Sequence, residues 1–420
     1  MFFSVATLFW VERILKKLGA DMLLRLAGVA MVAFSYAFWL FSVDAEVHIP
    51  GLFFTTAGMY LLLFGKTRTW PLSGAALCFV AAAGFHLTNG LMVVTVFFYL
   101  LASRTPWRNF AGFYFAYFSF LALLYGAFAV VSHKPVLTVL YSVFFGPNIY
   151  TGYRTHSFYP AALSTVVSSF ASLKHALITD AGIWTWLVCA GFLALLVMAF
   201  RSAPAKNSPG FKQAMLFWFL PYFVFFTFWD TTNIEFKIHS LLPLLLIAFT
   251  GLARLKPAPA AVTGISLSTG LLLVNLFFGI RPQADIKNNI NYQVAMAIHK
   301  ATPENAQVMI TGYFIGFGYG KIYIPYFAGR EVIILDWVLG KGASFSEIRA
   351  QLERISRSGQ PVFALGEVAE PGKAMKQLLD FHRIGNSEFF KFRSGIRFIP
   401  VAALPGGQRL YRMEFPSPGG

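Results

Sequence analysis

Basic residues recur at every second gap between apolar segments, and this alternation limits what the chain can fold into more than any other feature. Of the 17 Lys and Arg in residues 1–280, 12 belong to one alternating set of loops: Arg13, Lys16 and Lys17, then Lys66 and Arg68, Arg104 and Arg108, Arg201, Lys206 and Lys212, and Arg254 and Lys256. The intervening loops hold Asp44, Glu46, Asp180, Asp230 and Glu235, five of the seven acids in this region. Cytoplasmic loops of membrane proteins collect Lys and Arg. The basic set is therefore expected inside and the acidic set outside, in a plasma (bacterial inner) membrane, with the chemistry on the outer face.

A helix that crosses the hydrocarbon needs about 20 mostly apolar residues. Windows near that length fall at 22–43, 51–65, 71–86, 88–103, 109–131, 182–200, 213–228, 238–253 and 259–280, which predicts about nine transmembrane helices in a domain of residues 1–280. Met1 to Trp10 reads as the tail of a further span, and the chain is expected to lack its natural beginning. Only 12% of the residues are charged, against roughly 25% in a soluble protein. The net charge of +16 follows largely from loop residues that face anionic lipid, so nucleic acid is excluded as a partner. Cys78 and Cys189 both fall in apolar spans, which supports neither a disulfide framework nor a thiolate metal site.

Residues 281–420 carry 17 Lys/Arg and 11 Asp/Glu, with no window long enough to span a bilayer. The apolar runs Gln307–Thr311, Glu331–Leu335, Pro361–Leu365 and Arg397–Pro400 predict short strands. Helical spacing covers 291–301, 344–356 and 372–381, and Ser344 with Glu347 has the spacing of a capping box. Strands alternating with helices predict a small α/β sandwich, placed outside the cytoplasm by nine crossings. Gly312, Gly316, Gly318 and Gly320 follow the first strand, but their spacing is neither GxGxxG nor GxxxxGK[ST]; close packing of an aromatic segment explains them better than a nucleotide.

Chemistry can be carried by Asp44-Ala45-Glu46-Val47-His48, in the first external loop. If the loop is extended, these three ligand types share one face and can meet a divalent cation. In a helix, Asp44 and His48 are neighbours and Glu46 points elsewhere; as caps, the acids satisfy a helix end. Asp230, Asn233 and Glu235 form a second polar mouth, suited either to positioning an acceptor or to capping the next helix. The external stretch 132–181 carries Lys134, Tyr153, Arg154, His156 and Lys174 among aromatic residues. Such a mixture suits a lipid phosphate head group or ordinary interfacial anchoring. His86 is the clearest ionisable residue inside the apolar region, and it is read as a hydrated imidazole at an external hairpin.

An external DxE pair between early helices, a long amphipathic external loop, acids in later external loops and an appended α/β domain together resemble the GT-C superfamily of membrane glycosyltransferases. These enzymes use sugars on polyprenyl phosphate or diphosphate carriers; oligosaccharyltransferases, protein O-mannosyltransferases and lipid A aminoarabinose transferases are among them. The resemblance covers nearly the whole chain. It implies that Asp44 and Glu46 act in catalysis, and with His48 hold a metal such as Mg or Mn. Lys134, Tyr153, Arg154 and His156 would meet the carrier phosphate, and Asp230, Asn233 and Glu235 would position a glycan, lipid or protein acceptor for hexosyl or pentosyl transfer. Tyr323-Ile324-Pro325-Tyr326-Phe327-Ala328-Gly329-Arg330 is similar to segments in the appended domains of bacterial members.

The chain departs from that family at its start. The superfamily's principal catalytic acid lies between its first and second helices, and no residue here is its counterpart, so the resemblance implies a fragment, a separate polypeptide partner that supplies the missing helices, or an inactive member. The WWDYG signature of oligosaccharyltransferases is also absent, which argues against N-glycosylation. The implied reaction is displacement at the anomeric carbon, with a carboxylate taking the acceptor's proton and a cation or Arg meeting the departing phosphate. Two other readings compete. A transporter or lipid flippase should show midplane ionisable groups and internal repeats, and a membrane scaffold should be indifferent to Asp44.

Overall fold

The structure is a computed structural model describing residues 1–43, 47–65, 69–139, 163–201, 210–231, 233–312 and 320–416. The chain divides into two compact units, the second beginning at Gln283.

The first unit is helical: α1 (Phe2–Lys17), α2 (Met22–Ala33), α3 (Tyr36–Val43), α4 (His48–Phe64), α5 (Thr69–Phe85), α6 (Met92–Ala102), α7 (Trp107–Val131), α8 (Leu163–Leu177), α9 (Ile183–Arg201), α10 (Phe211–Trp229), α11 (Ile234–Leu252) and α12 (Pro257–Val274). Each of the nine expected windows lies on helix. Among the described residues, five helices are long and apolar enough to cross a membrane: α7, α9, α10, α11, and α12 with its continuation to Ala284. The window 22–43 is broken into α2 and α3, bent by 68°, and α4, α5 and α6 are apolar but shorter. The chain is an integral membrane protein.

Broken helices free backbone groups that lipid cannot satisfy, so the bundle must supply partners. Three side chains show how it does so. Asn275, just past α12, donates through Nδ2 to Phe34 O at the α2–α3 break (2.7 Å) and to Leu177 O at the end of α8 (3.1 Å), while its Oδ1 accepts from Thr179 N (2.9 Å). Pro221 lies inside α10 and cannot donate to Phe217 O; Thr95 Oγ1 of α6 takes that carbonyl at 2.8 Å. Ser268 Oγ of α12 donates to Ala27 O of α2 at 3.0 Å.

The helices differ in depth within the bundle. Of α11's apolar window 83% is buried, against 11% of α7's. α11 packs tightly because Gly251 meets α9 backbone: a Cβ there would lie 2.1 Å from Leu195 O. α8 belongs to the bundle rather than lying only along its surface, for its Thr165, Ser169 and Ser172 are buried while Leu163, Val167 and Phe170 face outward.

The second unit is the expected α/β sandwich. Strands β1 (Gln307–Ile310), β2 (Glu331–Ile334), β3 (Val362–Leu365), β4 (Arg397–Ala403) and β5 (Arg409–Glu414) form one sheet in the order β2-β1-β3-β5-β4. β1 runs parallel to β2 and β3; β5 runs antiparallel to β3 and β4. Successive residues point to opposite faces. Val308, Ile310, Phe363 and Leu365 therefore meet α13 (Ile290–Ala301) on one face. On the other, Met309, Val362 and Ala364 meet α14 (Leu335–Gly340), α15 (Phe345–Arg357), α16 (Lys373–His382) and α17 (Asn386–Arg393). The capping box closes α15: Ser344 Oγ accepts from Glu347 N, and Glu347 Oε2 accepts from Ser344 N.

Arg330, singled out by the Tyr323–Arg330 pattern, is buried, and its guanidinium donates to Thr302 Oγ1, Ala328 O, Thr302 O and His299 O. It clamps the end of α13 to the turn before β2. Of the glycine-rich run, Gly312 and Gly320 are described. Gly312 packs against Asp336, where a Cβ would lie 2.5 Å from Asp336 Cβ.

Candidate active site

The first residue of α4, the end of α5 and the first turn of α11 meet at one mouth of the helical unit. His48 opens α4 and is buried. Its Nε2 faces Glu235 Oε2 at 3.4 Å, and its Nδ1 has no hydrogen-bond partner among the described residues. Its ring contacts His86 (centroids 4.9 Å apart), Phe236 (5.2 Å) and His239 (6.2 Å). α4 can come this close because residue 51 is glycine: a Cβ there would lie 2.4 Å from Asn89 Nδ2.

The second mouth expected from sequence is part of the same place. Asn233 caps α11, with Oδ1 accepting from Glu235 N at 3.0 Å, and Asp230 Oδ1 accepts from Asn233 N at 3.2 Å. These bonds realise the capping alternative for Asp230 and Asn233. Asn233 Nδ2 also donates to Glu235 Oε2 at 3.4 Å, so one carboxylate oxygen faces both Asn233 and His48.

One turn deeper, His239 stacks on Tyr222 (5.1 Å, 11°). The Tyr222 hydroxyl donates to Asn89 Oδ1 at 3.2 Å, and Asn89 Nδ2 donates to Ala82 O at 3.0 Å. Both ring nitrogens of His239 are buried, without a hydrogen-bond partner among the described residues. Lys237, on the same helix, directs Nζ to Ser169 Oγ of α8 (2.9 Å) and to Phe226 O of α10 (3.2 Å).

The sequence kept His48 and Glu235 apart, one as a metal ligand and one as an acceptor group, and the fold brings them together. Asp44 and Glu46 lie outside the described residues, as do Tyr153, Arg154 and His156. Lys134 is exposed, three residues beyond the end of α7. Of the three residues offered to a divalent cation, His48 alone is described, with one nitrogen turned to Glu235. Among the described residues no group of three His, Cys, Asp or Glu is placed to hold a metal ion. Asp44 and Glu46, the other two residues offered to the cation, lie outside them.

His86 is a correction of another kind. It is half-buried, its Nδ1 lies 2.7 Å from Thr88 Oγ1, and its ring lies against His48 and Phe236. The imidazole is part of the polar cluster rather than a solvated hairpin tip. Sequence reasoning passed over His239 and Lys237 altogether. The available signal was three ionisable residues, Glu235, Lys237 and His239, at the start of an apolar span, where such residues are rare and mark function.

A buried polar cluster lies at one mouth of the helical bundle, a separate doubly covered α/β unit follows it in the chain, and this fold has solved counterparts among membrane proteins. The particular likeness is to ArnT from Cupriavidus metallidurans. Its crystal structure bound to undecaprenyl phosphate matches with a TM-score of 0.57 at 12% identity, over 98% of this chain and 82% of that one. Its apo crystal structure gives a TM-score of 0.55 with the same identity and coverage. A cryo-EM structure of arabinofuranosyltransferase AftD from Mycobacteria aligns more loosely (TM-score 0.48, 13% identity, 99% of this chain and 33% of that one). No protein-family model and no curated protein sequence matches the chain.

Proposed function

We propose that this protein is a GT-C-type glycosyltransferase that moves a sugar from a polyprenyl phosphate or diphosphate carrier to an acceptor at the extracytoplasmic face of the membrane. The observation that carries the reading is the fold match over 98% of the chain to ArnT, whose structure was solved with undecaprenyl phosphate. The polar mouth supports it independently. A glycosyl transfer needs a group beside the acceptor hydroxyl and cationic or hydrogen-bonding groups beside the leaving phosphate. His48, Glu235 and Asn233 supply the first kind of group on one side of the mouth. Asp44 and Glu46, four and two positions before His48 in the chain, are assigned here as catalytic carboxylates or as ligands of a divalent cation. In this reading Lys134, Tyr153, Arg154 and His156 serve the carrier phosphate, and Asp230 supports Asn233 and Glu235 at the acceptor.

The test is transfer by membranes containing the full chain, given undecaprenyl phosphate loaded with radiolabelled hexose, pentose or aminopentose. Label should leave the carrier for a glycan, lipid or protein acceptor. Asp44→Ala and Glu46→Ala should each lower the rate by about 100-fold or more. Transfer that persists undiminished in both variants removes those two carboxylates from the mechanism, and absence of transfer from every loaded carrier removes the reading itself.

A further inference from the structure

Lys237 is fully enclosed, at 0% exposure, yet among the described residues its ammonium meets only neutral oxygens, Ser169 Oγ and Phe226 O. Asp230 acts on it through space, but among the described residues no carboxylate lies within 4.0 Å of Nζ. A buried ion without a counter-charge in contact is penalised by several kcal/mol, and such groups inside membrane bundles mark the paths of ions or substrates.

The surroundings form a donor set. Ser169 is itself buried, and Thr227 Oγ1 lies 2.8 Å from Ser169 Oγ. An ammonium beside hydroxyls is suited to an oxyanion, for which charge-assisted hydrogen bonds are the strong ones. α8 separates this donor set from the outside. Its inward face carries Thr165, Ser169 and Ser172, and its outward face Leu163, Val167 and Phe170, the last three all more than half exposed. An outward face of Leu, Val and Phe suits acyl chains rather than water, so an anion that reaches Lys237 past α8 is best carried on a lipid.

We propose that Lys237, with Ser169 and Thr227, binds the phosphate of a membrane lipid, and that the ion pair forms as α8 parts from α11 to admit it. The inference rests on the polyprenyl phosphate reading above and adds where the phosphate is held. It adds a buried group to Lys134, Tyr153, Arg154 and His156, which the reading above gives to the same phosphate.

The experiment uses the full chain in lipid nanodiscs, with undecaprenyl phosphate and inorganic phosphate as probes, reading both affinity and melting temperature. Wild type should bind undecaprenyl phosphate and be stabilised by it. Lys237→Met should weaken that binding by about 30-fold or more, while melting without ligand at or above the wild-type temperature because an uncompensated charge has gone. Ser169→Ala should weaken binding less. Unchanged affinity in Lys237→Met overturns the inference and leaves the carrier reading intact, as does a lowered ligand-free melting temperature with affinity retained. If Lys237→Met does not fold, unchanged affinity in both Ser169→Ala and Thr227→Val overturns it. Binding of inorganic phosphate without the lipid overturns the lipid assignment, and binding of neither probe by wild type overturns this inference together with the carrier reading.

Discussion

The two units of this chain both bury apolar side chains but expose opposite kinds of residue. In the helical unit large apolar side chains such as Phe115, Leu123 and Val131 point outward, and Lys237, His239, His48, Asn89 and Asn275 are inside. In the sheet unit Val308, Leu352, Leu365 and Leu378 are inside, and lysines, arginines and glutamates cover the surface. Each follows from its solvent. Water drives apolar groups inward, whereas lipid offers no such drive, so polar contacts and close backbone packing hold the bundle. α7 and α11 show this within the helical unit: the more hydropathic α7 is peripheral, and the less hydropathic α11 is central.

The largest effect expected from this contrast is at Gly251. Replacement by Leu drives a side chain into the α9 backbone, which should destabilise by about 3 kcal/mol or more and abolish recovery of monodisperse protein from detergent. Recovery at wild-type yield would show that α9 and α11 are not packed this closely.

Next is a pair of Leu→Ala substitutions. Leu352, fully buried in the sheet unit, should lose about 2–5 kcal/mol. Leu123, lipid-facing in α7, should change stability by less than about 0.5 kcal/mol. Hydrogen exchange on the full chain reads both, and equal losses would refute the contrast between the units.

Asn275→Ala leaves Phe34 O, Leu177 O and Thr179 N without this partner. An unsatisfied buried group costs about 1–3 kcal/mol, so a loss in that range or above is expected. A thermal unfolding midpoint in nanodiscs that matches wild type would mean that other groups satisfy the α2–α3 break.

The smallest effects concern pH and belong to the sheet unit. Hydrogen bonds from the Ser344 backbone and hydroxyl hold the Glu347 carboxyl below the ordinary range, and bonding by the Tyr411 hydroxyl, helped by Arg409, does the same for Glu370. A carboxyl with a depressed folded pKa is protonated first in the unfolded chain. Its contribution is therefore complete above the ordinary glutamate value of about 4.3 and is lost as pH falls through the folded value. Denaturant midpoints of the sheet unit should fall on acidification below that point. The double substitution Glu347→Gln, Glu370→Gln should flatten the dependence, and an unaltered slope would count against both carboxyls. Ser344→Ala removes the cap itself and should cost about 1 kcal/mol at neutral pH.

Much of the fold was legible because local pattern decides it. The nine apolar windows all fall on helix, and the first four strands and the capping box fall where their patterns put them. The misses have physical causes. β5 was passed over because Arg409, Arg412 and Glu414 interrupt its apolar residues, although Leu410, Tyr411 and Met413 are buried. The window 22–43 looked continuous because the break at Ser35 is sustained by Asn275, 240 residues away by numbering (275 − 35). In the site, the cap formed by Asp230 and Asn233 was open to reading, since its groups are neighbours in the chain.

By itself, the sequence determined that the chain lives in a membrane, where its helices fall and that a charged α/β unit follows them, because hydropathy and periodicity are local properties read against a known solvent. Only the tertiary structure decided that His48, His86, Glu235 and His239 share one mouth and that Ser169 meets Lys237. Those contacts join residues from 38 to 191 positions apart (86 − 48 and 239 − 48 at the extremes for His48). They exist because a bundle without a hydrophobic drive between its helices closes on its polar groups, and no local pattern records which polar group will face which.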